Sequence, residues 1–249
     1  MFRLLRFELR KLFRQKSFYI FIAVVLAFGI ISVFTTDFMN KDLGIDYESS
    51  GLKDLMAAVS NNSLAMVLGI FAALFVCEDF AGGTIRVIVS RGYSRLGVFV
   101  SKYLALIAAA FIMTAVNWVF AYFLGNGFWG VAEQGLGAEQ VKLLLCQLLL
   151  VVAYATVYYA ICSAIQKTGG AIACCVLLSL LLRMLLVLAD KALADTEIIF
   201  SSYWLDDLIS SVSTVQYDSG AVEKCLICGG AYITGGLLLS WLSLFKREY

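Results

Sequence analysis

Residues 55–77 read LMAAVSNNSLAMVLGIFAALFVC, and residues 78–95 follow as EDFAGGTIRVIVSRGYSR. The first stretch carries no charge. The second opens on two acids, turns on two glycines and holds three arginines, Arg86, Arg91 and Arg95, within ten residues. A bilayer core about 30 Å thick needs roughly 20 helical residues to cross it. Residues 55–77 are long enough for that, and unpaired backbone in lipid forces such a run into a helix.

Working outward, the same charge-free spacing recurs. Charged residues leave clear gaps at 17–36, 103–132, 143–166 and 225–245, and a shorter gap at 168–182 continues past Arg183 to Asp190. The reading is six spans, near 17–36, 58–77, 103–124, 143–165, 170–189 and 225–245. Barrel strands would alternate over about 10 residues, whereas these runs are continuous. The fold class is therefore an all-α membrane protein, with one membrane domain over 1–249. Composition agrees: 61% of the 249 residues are hydrophobic and 15% charged, against about 25% charged in soluble domains. The mean hydropathy is +0.88.

Composition also narrows the chemistry. The chain has no His and no Pro. Histidine triads and histidine-ligated zinc are thereby excluded, and no helix carries a proline kink. A net charge of +1 gives no electrostatic case for nucleic acid. No GxxxxGK[ST] loop is present, so no cofactor is expected on this chain. The seven cysteines sit in or beside apolar runs and read as small packing residues rather than a disulfide framework.

Orientation follows the basic residues. With the N-terminus inside, 13 of the 19 Lys and Arg fall on inner segments, which favours both termini in the cytoplasm. The first 16 residues are basic, and the apolar run after them is too long for a signal-peptide core. It is expected to stay as the first span. Residues 2–16 form an amphipathic pattern, with Phe2, Leu5, Leu9, Leu12 and Phe13 on one side and Arg3, Arg6, Arg10 and Arg14 on the other. Such a helix lies in the interface among lipid head groups, although Leu4 and Phe7 break the pattern.

Residues 78–95 form the candidate functional segment. Gly82-Gly83 turns the chain, Thr84 is placed to cap a short helix, Gly92 to end it, and Ser94 to cap the next. That helix offers Ile85, Ile88 and Val89, rimmed by Arg86 and Arg91, to a partner's groove. Glu78 or Asp79 is positioned to pair with Arg3, Arg6 or Arg10. Elsewhere, Arg183 lies inside the fifth span with Asp190 two turns on as its expected partner. Asn61, Asn117 and Gln147 are polar groups in or beside spans, suited to interhelical bonds or to a pathway wall. Residues 198–208 read as an outer interfacial helix with aromatic anchors in an acidic segment.

Glu78, Gly83-Thr84, Ser94-Arg95 and Lys102, in that order, resemble the pattern of the ABC-2-type permeases, the membrane subunits of bacterial ABC exporters. Many members carry Pro near the position of Gly92, and the peptide and lantibiotic-immunity or bacitracin-type permeases often carry Gly. The resemblance implies six spans in the bacterial cell membrane and a cytosolic coupling helix seated on a separate ATPase subunit. Thr84, Ile85, Arg86, Ile88, Val89 and Arg91 would dock it, positioned by Glu78, Asp79, Gly83, Ser94, Arg95 and Lys102. It implies two ATPase subunits binding ATP and Mg, and a second permease chain, identical or similar. The implied cargo is a hydrophobic or amphipathic peptide or drug moved outward. Arg183, Asp190, Asn61 and Asn117 are candidates for its pathway or for the dimer seam. A non-transporting membrane sensor or an intramembrane enzyme are the alternatives.

Overall fold

The computed structural model describes residues 2–42, 50–60, 63–129, 137–192, 200–214 and 218–245. Ten α-helices appear in chain order: α1 (Phe2–Arg14), α2 (Lys16–Asp42), α3 (Gly51–Ala57), α4 (Ser63–Ala81), α5 (Thr84–Ser90), α6 (Arg95–Trp129), α7 (Ala138–Ile165), α8 (Thr168–Ala192), α9 (Leu205–Val212) and α10 (Ser219–Phe245). Among the described residues one 3-10 turn, Ser201–Tyr203, precedes α9. Six of these helices, α2, α4, α6, α7, α8 and α10, are long and apolar enough to cross a membrane.

With no proline to interrupt them, five of the six spanning helices run longer than the charge gaps, α4 being the exception. The third expected span, 103–124, is part of a continuous 35-residue helix, α6. At 1.5 Å per residue it is about 52 Å long, so it extends beyond the hydrocarbon layer. The second expected span began at residue 58, but the structure starts α4 at Ser63 and folds Gly51–Ala57 into a separate short helix. Ser50 caps that helix, accepting the Lys53 N–H at 3.3 Å. Leu52, Leu55 and Met56 then bury against the bundle.

The central helices are α4 and α7, the two spans with the largest buried share. α2 and α6 pack on one side of them, α8 on another, and α10 along α7. Close approach depends on small residues. A Cβ on Gly69 would lie 3.2 Å from both Cys175 Cβ and Tyr158 Cζ, tighter than ordinary contact, so glycine eases the approach of α4 to α7 and α8. The α2–α4 contact is aromatic: Phe21 meets Phe71 edge-on at 5.7 Å and Phe18 approaches the same ring at 5.9 Å, while Phe71 stacks on Phe75 within α4. The outer faces of α2, α8 and α10 remain apolar and exposed, as lipid contact requires.

All seven cysteines are free thiols. Those of Cys77 and Cys225 donate to the carbonyls of Cys162 at 3.7 Å and Cys146 at 3.6 Å, so they serve as packing groups between helices.

Candidate functional site

The turn between α4 and α6 is built as its residues require. α4 ends at Ala81, where the Gly82 N–H still reaches the Glu78 carbonyl at 2.8 Å. Gly83 then takes φ +65° and Gly92 takes φ +86°, left-handed conformations that side chains resist. Thr84 is the first residue of α5 rather than its cap; the cap position falls to Gly83. Ser94 does cap α6, accepting the Gly97 N–H at 3.2 Å.

Beneath this hairpin lies a buried ion cluster. Asp79, at the end of α4, accepts from Lys11 of α1 and from Lys102 of α6. Glu8 of α1 stands 3.8 Å from the same Lys102 ammonium. Only 2% of the Lys102 side chain is exposed. The Phe75 ring lies under both ammoniums, 5.3 Å from Lys102 and 5.9 Å from Lys11, adding cation–π attraction. Two acids and two bases balance, which offsets the cost of burying Glu8, Asp79 and Lys102 beside the part-exposed Lys11. Burial still pushes the Glu8 carboxyl above its ordinary value, against the pull of Lys102. Just outside, Gln15 donates to Glu78 at 2.7 Å. The result is a clamp that fastens α1 to the end of α4 and the start of α6.

This corrects the expected pairing. Asp79 meets lysines, not Arg3, Arg6 or Arg10, and Glu78 meets a glutamine. The reason is the rotation of α1. Leu4, Glu8 and Leu12, spaced by one helical turn, form its buried face. Leu4 had looked like a break in an apolar face centred on Leu5 and Leu9. It belongs instead to a face turned toward protein, which carries Glu8 and Lys11 with it. Leu5 and Leu9 are half-buried at its edge, Phe13 is exposed, and all four arginines point outward. Glu8 and Lys11 could have been noticed as an acid and a base one turn apart, opposite the arginine row.

The docking residues also redistribute. Ile85 and Ile88 are half-buried, and α5 rests on α4 and α6. Val87, 52% exposed, points away, and Arg91, Tyr93 and Leu96 continue that outward surface. The backbones of Arg86 and Val89 are helical, but their side chains lie outside those described. Arg95 opens α6 and is exposed.

At the other end of the bundle α9 folds back onto α7. Asp206, buried, accepts from the Tyr154 hydroxyl and, at 3.0 Å, from the Trp204 indole N–H. Burial raises the Asp206 carboxyl above its ordinary value, and the Tyr154 and Trp204 bonds oppose that. The Gln147 amide donates to the carbonyls of Met56 at 2.9 Å and Val212 at 3.3 Å, joining α3, α7 and α9. Leu205, Leu208, Ile209 and Val212 are buried, so this segment is a packed cap. The sequence reading of an interfacial helix over 198–208 is thus shifted to 205–212, and Trp204 is core rather than a lipid anchor.

Arg183 is paired, but with Asp207 at 3.1 Å, not with Asp190. Asp190 instead accepts the backbone N–H groups of Phe200 at 2.7 Å and Ser201 at 3.0 Å. Chain reversal after α8 brings Asp207 to Arg183, a contact no helical periodicity could show. Asn117 donates to the Ala58 carbonyl at 2.9 Å, holding the end of α3. It borders an internal cavity of about 30 Å³ shared with Asp54, Ser32 and Ser63, the size of one water. Asn61 lies outside the described residues. The structure does not gather Arg183, Asp190 and Asn117 into one site.

Six apolar helices with a buried charge clamp under a helical turn define a multi-pass membrane protein. The family model for the ABC-2 family transporter protein matches residues 4–184. The chain belongs to that family, and so is a membrane subunit of an ABC transporter that works with an ATPase component. A search of curated proteins found no match.

Proposed function

We propose that this chain is the membrane half of an exporter, seated in the bacterial cell membrane with both termini in the cytoplasm. α5 is its coupling helix. ATP and Mg bind two partner ATPase subunits, and a second permease chain completes the pathway. The cargo is a hydrophobic or amphipathic peptide or drug, antimicrobial peptides included, moved outward. The observation that carries this reading is the Glu8–Lys11–Asp79–Lys102 clamp. A push on α5 from an ATPase subunit would reach α4 and α6 directly and α1 through Asp79, so the ends of three helices would move as a unit. No catalytic side chain on this chain is needed for that role.

The test is association. Val87 is exposed on α5 and makes no demand on the core. Val87→Asp is expected to weaken ATPase-subunit co-purification by about tenfold or more, the effect of losing roughly 1.4 kcal/mol at an interface, with thermal stability unchanged. Undiminished co-purification would sink α5 as the docking element.

A further inference from the structure

The clamp fixes the rotation of α1, and so decides what its other face shows. Glu8 and Lys11 turn inward with Leu4 and Leu12. Arg3, Arg6, Arg10 and Arg14 are all exposed. They recur every three or four residues, a row about 16 Å long at 1.5 Å per residue. Phe7 and Phe13 flank the row, 51% and 49% exposed. Among the described residues, the acids nearby are engaged elsewhere: Glu8 and Asp79 in the buried clamp, and Glu78 with Gln15.

The position of the row is also set. Gln15 alone separates α1 from α2, the first apolar span. The Phe13 ring packs edge-on against Phe18 at 6.0 Å, and the Tyr19 hydroxyl donates to the Phe13 carbonyl at 3.0 Å. This elbow holds the arginines at the level where α2 enters the membrane. Guanidinium forks match phosphate oxygens in bidentate pairs, and exposed aromatic rings beside them suit the acyl boundary.

We infer that the arginine face of α1 is a binding surface for anionic phospholipid, with the head-group phosphates seated along Arg3, Arg6, Arg10 and Arg14. The inference rests on the proposed orientation, because anionic lipid concentrates in the cytoplasmic leaflet. By holding α1 to the leaflet on one face while the clamp holds it to α4 and α6 on the other, such lipid steadies the coupling hairpin. Charge complementarity and the short link to α2 favour lipid over a protein partner for this row.

The experiment uses the full chain without any ATPase subunit, in mixed micelles holding equal phosphatidylglycerol and phosphatidylcholine. Native mass spectrometry reads the lipids retained. The parent should retain phosphatidylglycerol in clear excess. Each Arg→Gln change should lower that preference about fivefold, and Arg6→Gln with Arg10→Gln and Arg14→Gln together should reduce it to near that of the bulk mixture. The same three positions changed to Lys should keep most of it. Equal melting temperatures in phosphatidylcholine alone would show that the variants fold. Equal retention of both lipids by the parent would overturn the inference. So would a triple Gln variant that keeps its phosphatidylglycerol, or one that loses only ATPase-subunit association. Because lipid retention is read without that subunit, this result is separate from the fate of the exporter reading.

Discussion

The two ends of the bundle handle buried charge in opposite ways. Under α5, Asp79 is matched by two ammoniums, and Glu8 stands beside the second. Under α9, Asp206 is held by a tyrosine hydroxyl and an indole N–H, neutral donors that bring no charge. Arg183 and Asp207 form an ion pair nearby, but half of the Arg183 side chain is exposed. The first arrangement ties helices together by mutual charge and fails badly if one member goes. The second is a latch whose strength depends on hydrogen bonds and on the protonation of one acid. The first suits the coupling role proposed for α5.

The largest effect should come from breaking the clamp. Asp79→Asn leaves Lys11 and Lys102 facing only Glu8, and removing one partner of a buried ion pair costs about 3–5 kcal/mol. Thermal unfolding in detergent and the yield of folded protein measure it. Asp79→Asn combined with Lys102→Met should recover part of the loss. An Asp79→Asn protein as stable as the parent would mean that the cluster is wetter and weaker than its burial indicates.

Next is the latch. Tyr154→Phe removes one donor from buried Asp206 and should cost about 1–3 kcal/mol. Its distinguishing effect is local. With Cys174→Ser removing the exposed thiol, a cysteine at Ser211 on α9 should become more reactive to aqueous maleimide in the Tyr154→Phe background. Asp79→Asn in a rescued background should leave it unchanged. Equal reactivity in all three would erase the contrast between the ends.

The acid in the latch also gives a pH dependence. The folded Asp206 carboxyl binds its proton at higher pH than the unfolded one. Between those two values the folded state holds more protons, so stability falls as pH rises across the window above the ordinary aspartate range. Glu8 and Asp54 shift the same way, so the informative quantity is the parent against Asp206→Asn. Melting temperatures from pH 4 upward should show a shallower decline in the variant. Parallel curves would show that Asp206 does not titrate in that window.

The smallest effect belongs to Arg183. An exposed ion pair contributes about 0–1 kcal/mol, so Arg183→Leu should barely change the melting temperature. If the residue borders the pathway, export normalised to protein level will fall all the same. Arg183→Lys will fall less than Arg183→Leu. Full export by Arg183→Leu would make the pair a surface feature of the α9 end only.

Much of this architecture was readable from spacing. Long gaps between charges located the six spans, because lipid leaves a helix as the one way to satisfy the backbone. Gly83 and Gly92 marked the turns around α5, since positive φ selects glycine. Lys102 stood out only as a member of a motif and Asp79 only as a partner for an arginine of residues 2–16, with no sign that they meet. Their partners were hidden because Lys11 and Glu8 are 68 and 94 residues away from Asp79 and Lys102 in sequence.

By itself, then, the order of residues determined the helical membrane class, the span count and the basic hairpin, all of which follow from local periodicity and solvation. It left open how α1 is rotated, which acid meets Arg183, and that Gly51–Ala57 folds in as a separate helix. Tertiary structure decided these because each depends on which helices become neighbours. A buried charge selects its partner from whatever side chains packing brings within reach, and that choice is made in space, across tens of residues, after the helices have formed.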